Sequence, residues 1–179
     1  MKRVLSTPQA AVAFLLLLAA AFSRLVPHPP NFTPVLAMAL FGGAALNHRA
    51  LAILAPIAAM LLSDVVLGFH ALVLVIYGAM ALITVIGFWL RRRTTAAHVL
   101  AACIASSVLF FLITNLAVWL EGELYPLTLA GLSATFVAAL PFFHNTILST
   151  VLFAGLLFAG AHYGMQLMED RGESDARPG

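Results

Sequence analysis

Only one carboxylate precedes residue 121. It is Asp64, and it sits inside the apolar run 51–70, a stretch long enough to cross a bilayer. Placing an Asp at the centre of a membrane helix costs about 2.5–3.5 kcal/mol, so such a residue normally faces a partner or a cavity. Asp64 precedes Gly68 by four residues. At about 1.5 Å of rise per residue this puts it roughly 6 Å below one membrane face. Other costly polar groups fall at the same depth once the helices are laid out. Arg24 lies just before Pro27, and Asn115 lies near the end of an apolar run. His144 and Asn145 open the last run, while His28, Asn31, Phe32, His70, Trp119 and Tyr125 lie in or beside the intervening turns.

Each group also has a plainer role. Arg24 and Asp64 can form a structural ion pair. Asn115, with Thr114, can hydrogen-bond between helices. Trp119 and Tyr125 suit an interfacial aromatic belt. His28, His70 and His144 could converge on a metal or a corrinoid cobalt, since imidazole is a common ligand. However, they lack ligand spacing, and His48, His98 and His162 are as numerous at the opposite ends. No metal and no cofactor is therefore expected. Ser63, Ser106, Ser107 and Ser133 have no evident His/Asp partners. HExxH, GxSxG and phosphate-binding glycine loops are absent, so an enzyme is not expected. Asn31-Phe32-Thr33 matches a glycosylation sequon, but Pro34 and a helix start argue against its use.

The elements that must hold these groups follow from composition. The 179 residues are 63% hydrophobic and 9% charged, where a soluble domain carries about 25% charge. This is the composition of an integral membrane protein. The net charge of +2 comes from groups scattered at segment ends rather than from a basic stripe, so it says nothing of nucleic acid, and no nucleic-acid partner is expected. The lone Cys103 can form no internal disulfide. Lys2-Arg3 followed by an apolar, alanine-rich run has the parts of a signal peptide, but the run continues to Val26 and reads as a retained helix.

In chain order, Thr7-Pro8 caps a first helix that runs to about Val26. Pro27, Pro29 and Pro30 bar helix in the next turn. Thr33-Pro34 opens a short second helix to about Leu46, rich in small residues, which must be tilted, thinly flanked or shielded by neighbours. A third helix ends near Gly68, a fourth runs from after His70 to Leu90, and a fifth covers about 96–120. The run 127–140 is short and ends at Pro141, so it reads as an interfacial or re-entrant helix inside the fifth loop. A sixth span then reaches about Met168. Lys2-Arg3, Arg49, Arg91–Arg93, Arg171 and Arg177 all fall on one side of this six-span plan, which places both termini in the cytoplasm. Arg24 is the exception. The reading is all-α: a polytopic six-helix bundle forming one domain over 1–168, with a polar cytoplasmic tail over 169–179. Small residues spaced by four (Ala55/Ala59, Ala101/Ala105, Gly160/Gly164) suit close helix contact in the inner half.

Several stretches resemble a small, uncharacterised family of bacterial membrane proteins that carries only a domain-of-unknown-function label. They are 31–43 (NFTPVLAMALFGG), 62–70 (LSDVVLGFH), 110–119 (FFLITNLAVW), 125–131 (YPLTLAG) and 141–145 (PFFHN), and the match covers roughly residues 25–160. The family's layout is similar to that of the substrate-binding S components of energy-coupling factor (ECF) vitamin transporters. The resemblance implies a ligand pocket at the outer side, walled by loops 1, 3 and 5. Its expected ligand set is Asn31, Phe32, Asp64, His70, Asn115, Trp119, Tyr125, His144 and Asn145. Asp64, Asn115, His144 and Asn145 would supply polar contacts, and Phe32, Trp119 and Tyr125 would stack on the ligand. The expected function is uptake of a vitamin-like small molecule across a bacterial inner membrane, with an energising transport module as a partner. One feature departs from that pattern: Ala10, Ala11 and Ala13 are followed four residues on by Phe14, Leu15 and Leu17, so the docking pattern AxxxA is missing from helix 1. A non-transporting assembly protein and a histidine-based metal or corrinoid carrier are the alternatives.

Overall fold

Nine consecutive residues, Val35 to Gly43, are all buried, although they belong to a helix of only 11 residues. The architecture explains this. The computed structural model describes residues 7–69 and 71–175, and these form six helices and no strand. They are α1 (Thr7–Ser23), α2 (Val35–Ala45), α3 (Arg49–Leu67), α4 (Val73–Leu90), α5 (Ala96–Glu121) and α6 (Leu129–Asp175). The helices α1, α3, α4, α5 and α6 touch in that order and α6 returns to α1, closing a ring; α2 stands inside it and contacts all five. A helix that is apolar on every side belongs in such a centre, and of the expectations for the second helix it is shielding by neighbours that holds.

Close approach fixes α2 in place. Gly43 of α2 faces Gly87 of α4. A Cβ on Gly43 would run into the Thr84 carbonyl and lie 2.9 Å from the Gly87 Cα, and one on Gly87 would strike the Leu40 carbonyl. Only glycine at both positions allows the two backbones this contact. On the other side, Gly42 lies against Pro56 and the Ala52 carbonyl of α3.

The outer surface is apolar, with Leu15, Leu62, Val66, Leu74, Val85 and Leu148 among its exposed side chains. A soluble protein would not tolerate this, whereas lipid chains would cover it. Four helices (α3, α4, α5 and α6) are long and apolar enough to cross a membrane; α1, as described, and α2 are shorter. Four helices thus qualify as spans by length and composition, and the six-span plan goes beyond them.

Three expectations are corrected. The run 127–140 is not a separate short helix in the fifth loop: α6 is continuous from Leu129 through Pro141 to Asp175. Its start is set by Thr128, whose hydroxyl accepts from the Gly131 amide at 3.1 Å. Pro141 removes one backbone donor but does not end the helix, because the segments on both sides of it pack on α5, with Phe136 and Phe143 both against Phe111. The helix also continues past Met168, into the stretch read as a polar tail. The first helix, by contrast, stops early. It ends at Ser23, and tighter turns carry residues 24–26.

Candidate functional site

Arg24, placed just beyond α1, reaches across to α3. Its Nη1 donates to Asp64 Oδ1 at 2.7 Å and to the Ser63 hydroxyl, and Ser63 in turn donates to the Met60 carbonyl at 2.7 Å. Tyr77 of α4 donates its hydroxyl to Asp64 Oδ2 at 2.8 Å. Both carboxylate oxygens are therefore occupied. The Arg24 and Asp64 side chains are only 10% and 1% exposed, and this is the one ion pair among the described residues. Desolvation makes an isolated buried charge expensive, so the pair, with Tyr77, is what allows Asp64 to stay in the bundle. Arg24 Nε is buried with no hydrogen-bond partner.

Arg24 lines a small cavity of about 120 Å³ together with Asn31, Thr33, Ile76, Phe110, Thr146 and Ser149, and with Val35 and Leu36 at the start of α2. A larger cavity of about 360 Å³ adjoins it, sharing Asn31, Ile76, Phe110 and Thr146. Its walls come from α4 (Ile76), α5 (Phe110, Phe111, Thr114, Asn115, Val118) and α6 (Thr135, Ala138, Ala139, Phe142, Thr146), and Leu124 and Tyr125 come from the α5–α6 turn. The lining is mostly aromatic and aliphatic with a few polar groups, the usual make-up of a small-molecule site. Asn115 Nδ2 donates to the Phe111 carbonyl of its own helix at 2.8 Å, which leaves the amide oxygen as an acceptor.

Non-helical backbone between α1 and α2 descends to reach this level, because α2 begins beside Ile76, inside the bundle. The carbonyls of this turn find donors on α6. Asn145 Nδ2 donates to the Pro30 carbonyl at 2.9 Å, and Ser149 Oγ reaches the Asn31 carbonyl at 3.5 Å. Asn31 has φ 60°, the only positive φ outside glycine among the described residues. Asn tolerates that conformation better than most residues, and here it turns the chain into the bundle.

The expected ligand set is thus divided. Asn31, Asn115 and Tyr125 line the cavities. Asp64 stands behind Arg24 and lines neither. Asn145 ties down the descending backbone. Phe32 packs on Phe153, centroids 6.2 Å apart, and Trp119 Nε1 donates to the Pro126 carbonyl at 3.1 Å, closing the α5–α6 turn. His144 is exposed on α6. His70 lies outside the described residues, as do Lys2 and Arg3. His28 Nδ1 lies 3.0 Å from the Pro29 carbonyl. Among the described residues no three His, Cys, Asp or Glu side chains gather as a metal would need.

Sequence reasoning missed Tyr77, Ser63, Thr135 and Thr146. Tyr77 was recoverable, since it follows the α3–α4 turn by about as many residues as Asp64 precedes it. It also missed the work of Arg91, at the opposite end of the bundle. Arg91 donates from Nε to the Gly43 carbonyl at 2.8 Å and from Nη2 to the Leu46 carbonyl at 2.6 Å, with Nη1 3.3 Å from the Asn47 carbonyl. A guanidinium thus caps the open carbonyl end of α2. Burial and the neighbouring Arg49 both push the Arg91 pKa down.

A family model described as "Family of unknown function (DUF6580)" matches residues 5–170, and the chain belongs to that family. No curated protein and no solved structure matches it.

Proposed function

With membership of a family of unassigned function as the premise, we propose that the protein binds a small, largely apolar molecule at the Asn31/Asn115/Tyr125 end of the bundle. It would take that molecule up across a bacterial inner membrane in the manner of an ECF S component. In this reading all six helices count as spans and both termini are cytoplasmic, so the cavity opens to the outer side. Phe110, Phe111, Tyr125 and Phe142 hold the body of the ligand, while Asn115, Thr114 and Thr135 fix its orientation. A group that accepts hydrogen bonds, such as a carboxylate or carbonyl, takes the free Arg24 Nε. Nothing in the chain suits ATP hydrolysis, so active uptake requires a separate motor. The vitamin-like class of ligand rests on the S-component resemblance.

The observation that carries the reading is the pair of adjoining cavities of about 360 and 120 Å³, the smaller lined by Arg24, whose Nε is buried without a hydrogen-bond partner. The decisive experiment is mass spectrometry of small molecules that co-purify with gently solubilised protein. Wild type is compared with Ala139→Phe, which fills the larger cavity, and Thr135→Val. Thermal melts confirm that the variants are folded. A compound present in wild type and lost from folded Ala139→Phe supports the site; the same profile in both removes it.

A second reading, a non-transporting assembly protein, is supported by Asp64, whose two oxygens are used up within the bundle. It predicts no bound compound and co-purification of a protein partner instead.

A further inference from the structure

The arginines at the opposite end of the bundle make up a second site. Arg49 opens α3, Phe88 and Trp89 close α4, and Arg91, Arg92 and Arg93 follow; these six residues line a concavity of about 400 Å³. The four cations do not play equal parts. Arg91 spends its donors on the carbonyls at the end of α2 and lies over the Phe88 ring at 4.4 Å. Arg93 sits 5.7 Å from the centre of the Trp89 ring. Arg49, Arg92 and Arg93 are exposed, and none has a carboxylate partner among the described residues. Three unneutralised guanidiniums thus share one depression with a fourth that is locked in place. Like charges held so close repel one another unless an anion joins them.

The position of the depression indicates which anion. It lies where two apolar, bilayer-length helices end, and Trp89, a half-exposed indole, marks the level of the headgroups. Exposed Val85 and Leu82 continue from it along α4 into the apolar surface, a track on which fatty-acyl chains can lie. We infer that this depression binds the phosphate of an anionic phospholipid. Arg92 and Arg49 contact the phosphate oxygens, Arg93 is held over Trp89 at its rim, and the acyl chains run down α4. Arginine suits the task because its planar fork pairs with phosphate oxygens two at a time. Basic pockets beside membrane helices recognise lipid headgroups by the same chemistry. The inference is independent of the ligand site at the other end of the bundle.

The test is native mass spectrometry of the full chain after exchange into mixed micelles of phosphatidylglycerol and phosphatidylcholine. Wild type should retain phosphatidylglycerol over phosphatidylcholine, and each of Arg49→Gln, Arg92→Gln and Arg93→Gln should lower that preference about fivefold. Arg49 and Arg92 make no hydrogen bond within the described protein, so their variants should melt like wild type. Arg93→Lys, which keeps the charge, covers the case in which Arg93→Gln does not fold. A parallel arm adds glycerol 3-phosphate without lipid. No retention of the free phosphate ester, with retention of phosphatidylglycerol, supports the lipid assignment. Retention of glycerol 3-phosphate in that arm, at the concentration used for the lipid, would assign the site to soluble phosphate esters and overturn it. Equal retention of the two lipids, or retention unchanged in all three glutamine variants, would also overturn it.

Discussion

Replacing Asp64 by leucine tests how the bundle tolerates its buried Arg24–Asp64 ion pair. The substitution leaves the Arg24 guanidinium nine-tenths buried without its counter-charge and deprives the Tyr77 hydroxyl of its acceptor. Breaking a buried pair from one side costs about 3–5 kcal/mol, because the remaining charge cannot recover its hydration. Arg24→Met should cost a similar amount by stranding the carboxylate. The double variant Arg24→Met/Asp64→Leu strands neither charge. Because replacing a whole buried pair by apolar residues is commonly neutral or stabilising, it should melt within about 1 kcal/mol of wild type. The two single losses would sum to about 6–10 kcal/mol if independent, so the cycle predicts a coupling of at least about 5 kcal/mol. For a chain of this size 1 kcal/mol corresponds to roughly 2–4 °C in Tm. Thermal melts in detergent or bicelles should therefore show each single variant about 6–20 °C below wild type and the double variant close to it. Asp64→Asn should fall between, since its amide oxygen still accepts from Tyr77. Two results would refute the reasoning: single variants within about 2 °C of wild type, or a double variant as unstable as the sum of its parts.

Three more outcomes are expected. Gly87→Ala should lower stability by about 1–3 kcal/mol, as overpacking does, because its methyl group would strike the Leu40 carbonyl; thermal melts measure it. Arg91→Ala should cost about 1–3 kcal/mol for each part-buried carbonyl it leaves open, at Gly43 and Leu46. Arg91→Lys should recover only part of that, since an ammonium cannot span both; urea or SDS titration of the three proteins separates these cases. Cys103 is 1% exposed, so a water-soluble maleimide should leave it unlabelled in the folded protein and label it after denaturation, as followed by intact mass.

Much of the plan is legible in the sequence because apolar runs, prolines and caps act locally. The starts of α3 and α5, the ends of α3 and α4, and the shared depth of Arg24 and Asp64 all follow from one-dimensional signals. Longer-range compensation is not local, and the sequence does not reveal it. Pro141 looked like a terminus, but Phe111 braces α6 on both sides of it. Arg91 reads as one of the basic residues that set the topology, and nothing near it in the chain reveals that the open end of α2 also comes to rest against it. Asn145 looked like a ligand contact, because its acceptor, the Pro30 carbonyl, is 115 residues away in the chain. Asp64, Asn31 and Tyr125 were singled out by residue type, but only three-dimensional packing separates those that line the cavities from the one that holds Arg24 in position.

The encirclement of α2 has a consequence for biogenesis. At about 1.5 Å per residue its 11 residues cover only about 16 Å, roughly half the thickness of the hydrocarbon, and the backbone leading into it takes donors from Asn145 and Ser149. The segment is synthesised before α6, yet α6 supplies these donors. A strictly sequential release of helices into the bilayer would strand it. The chain between α1 and α2 therefore stays without these partners until α6 arrives, and truncations ending before residue 145 should leave residues 27–34 more readily cleaved by protease in the detergent-solubilised protein.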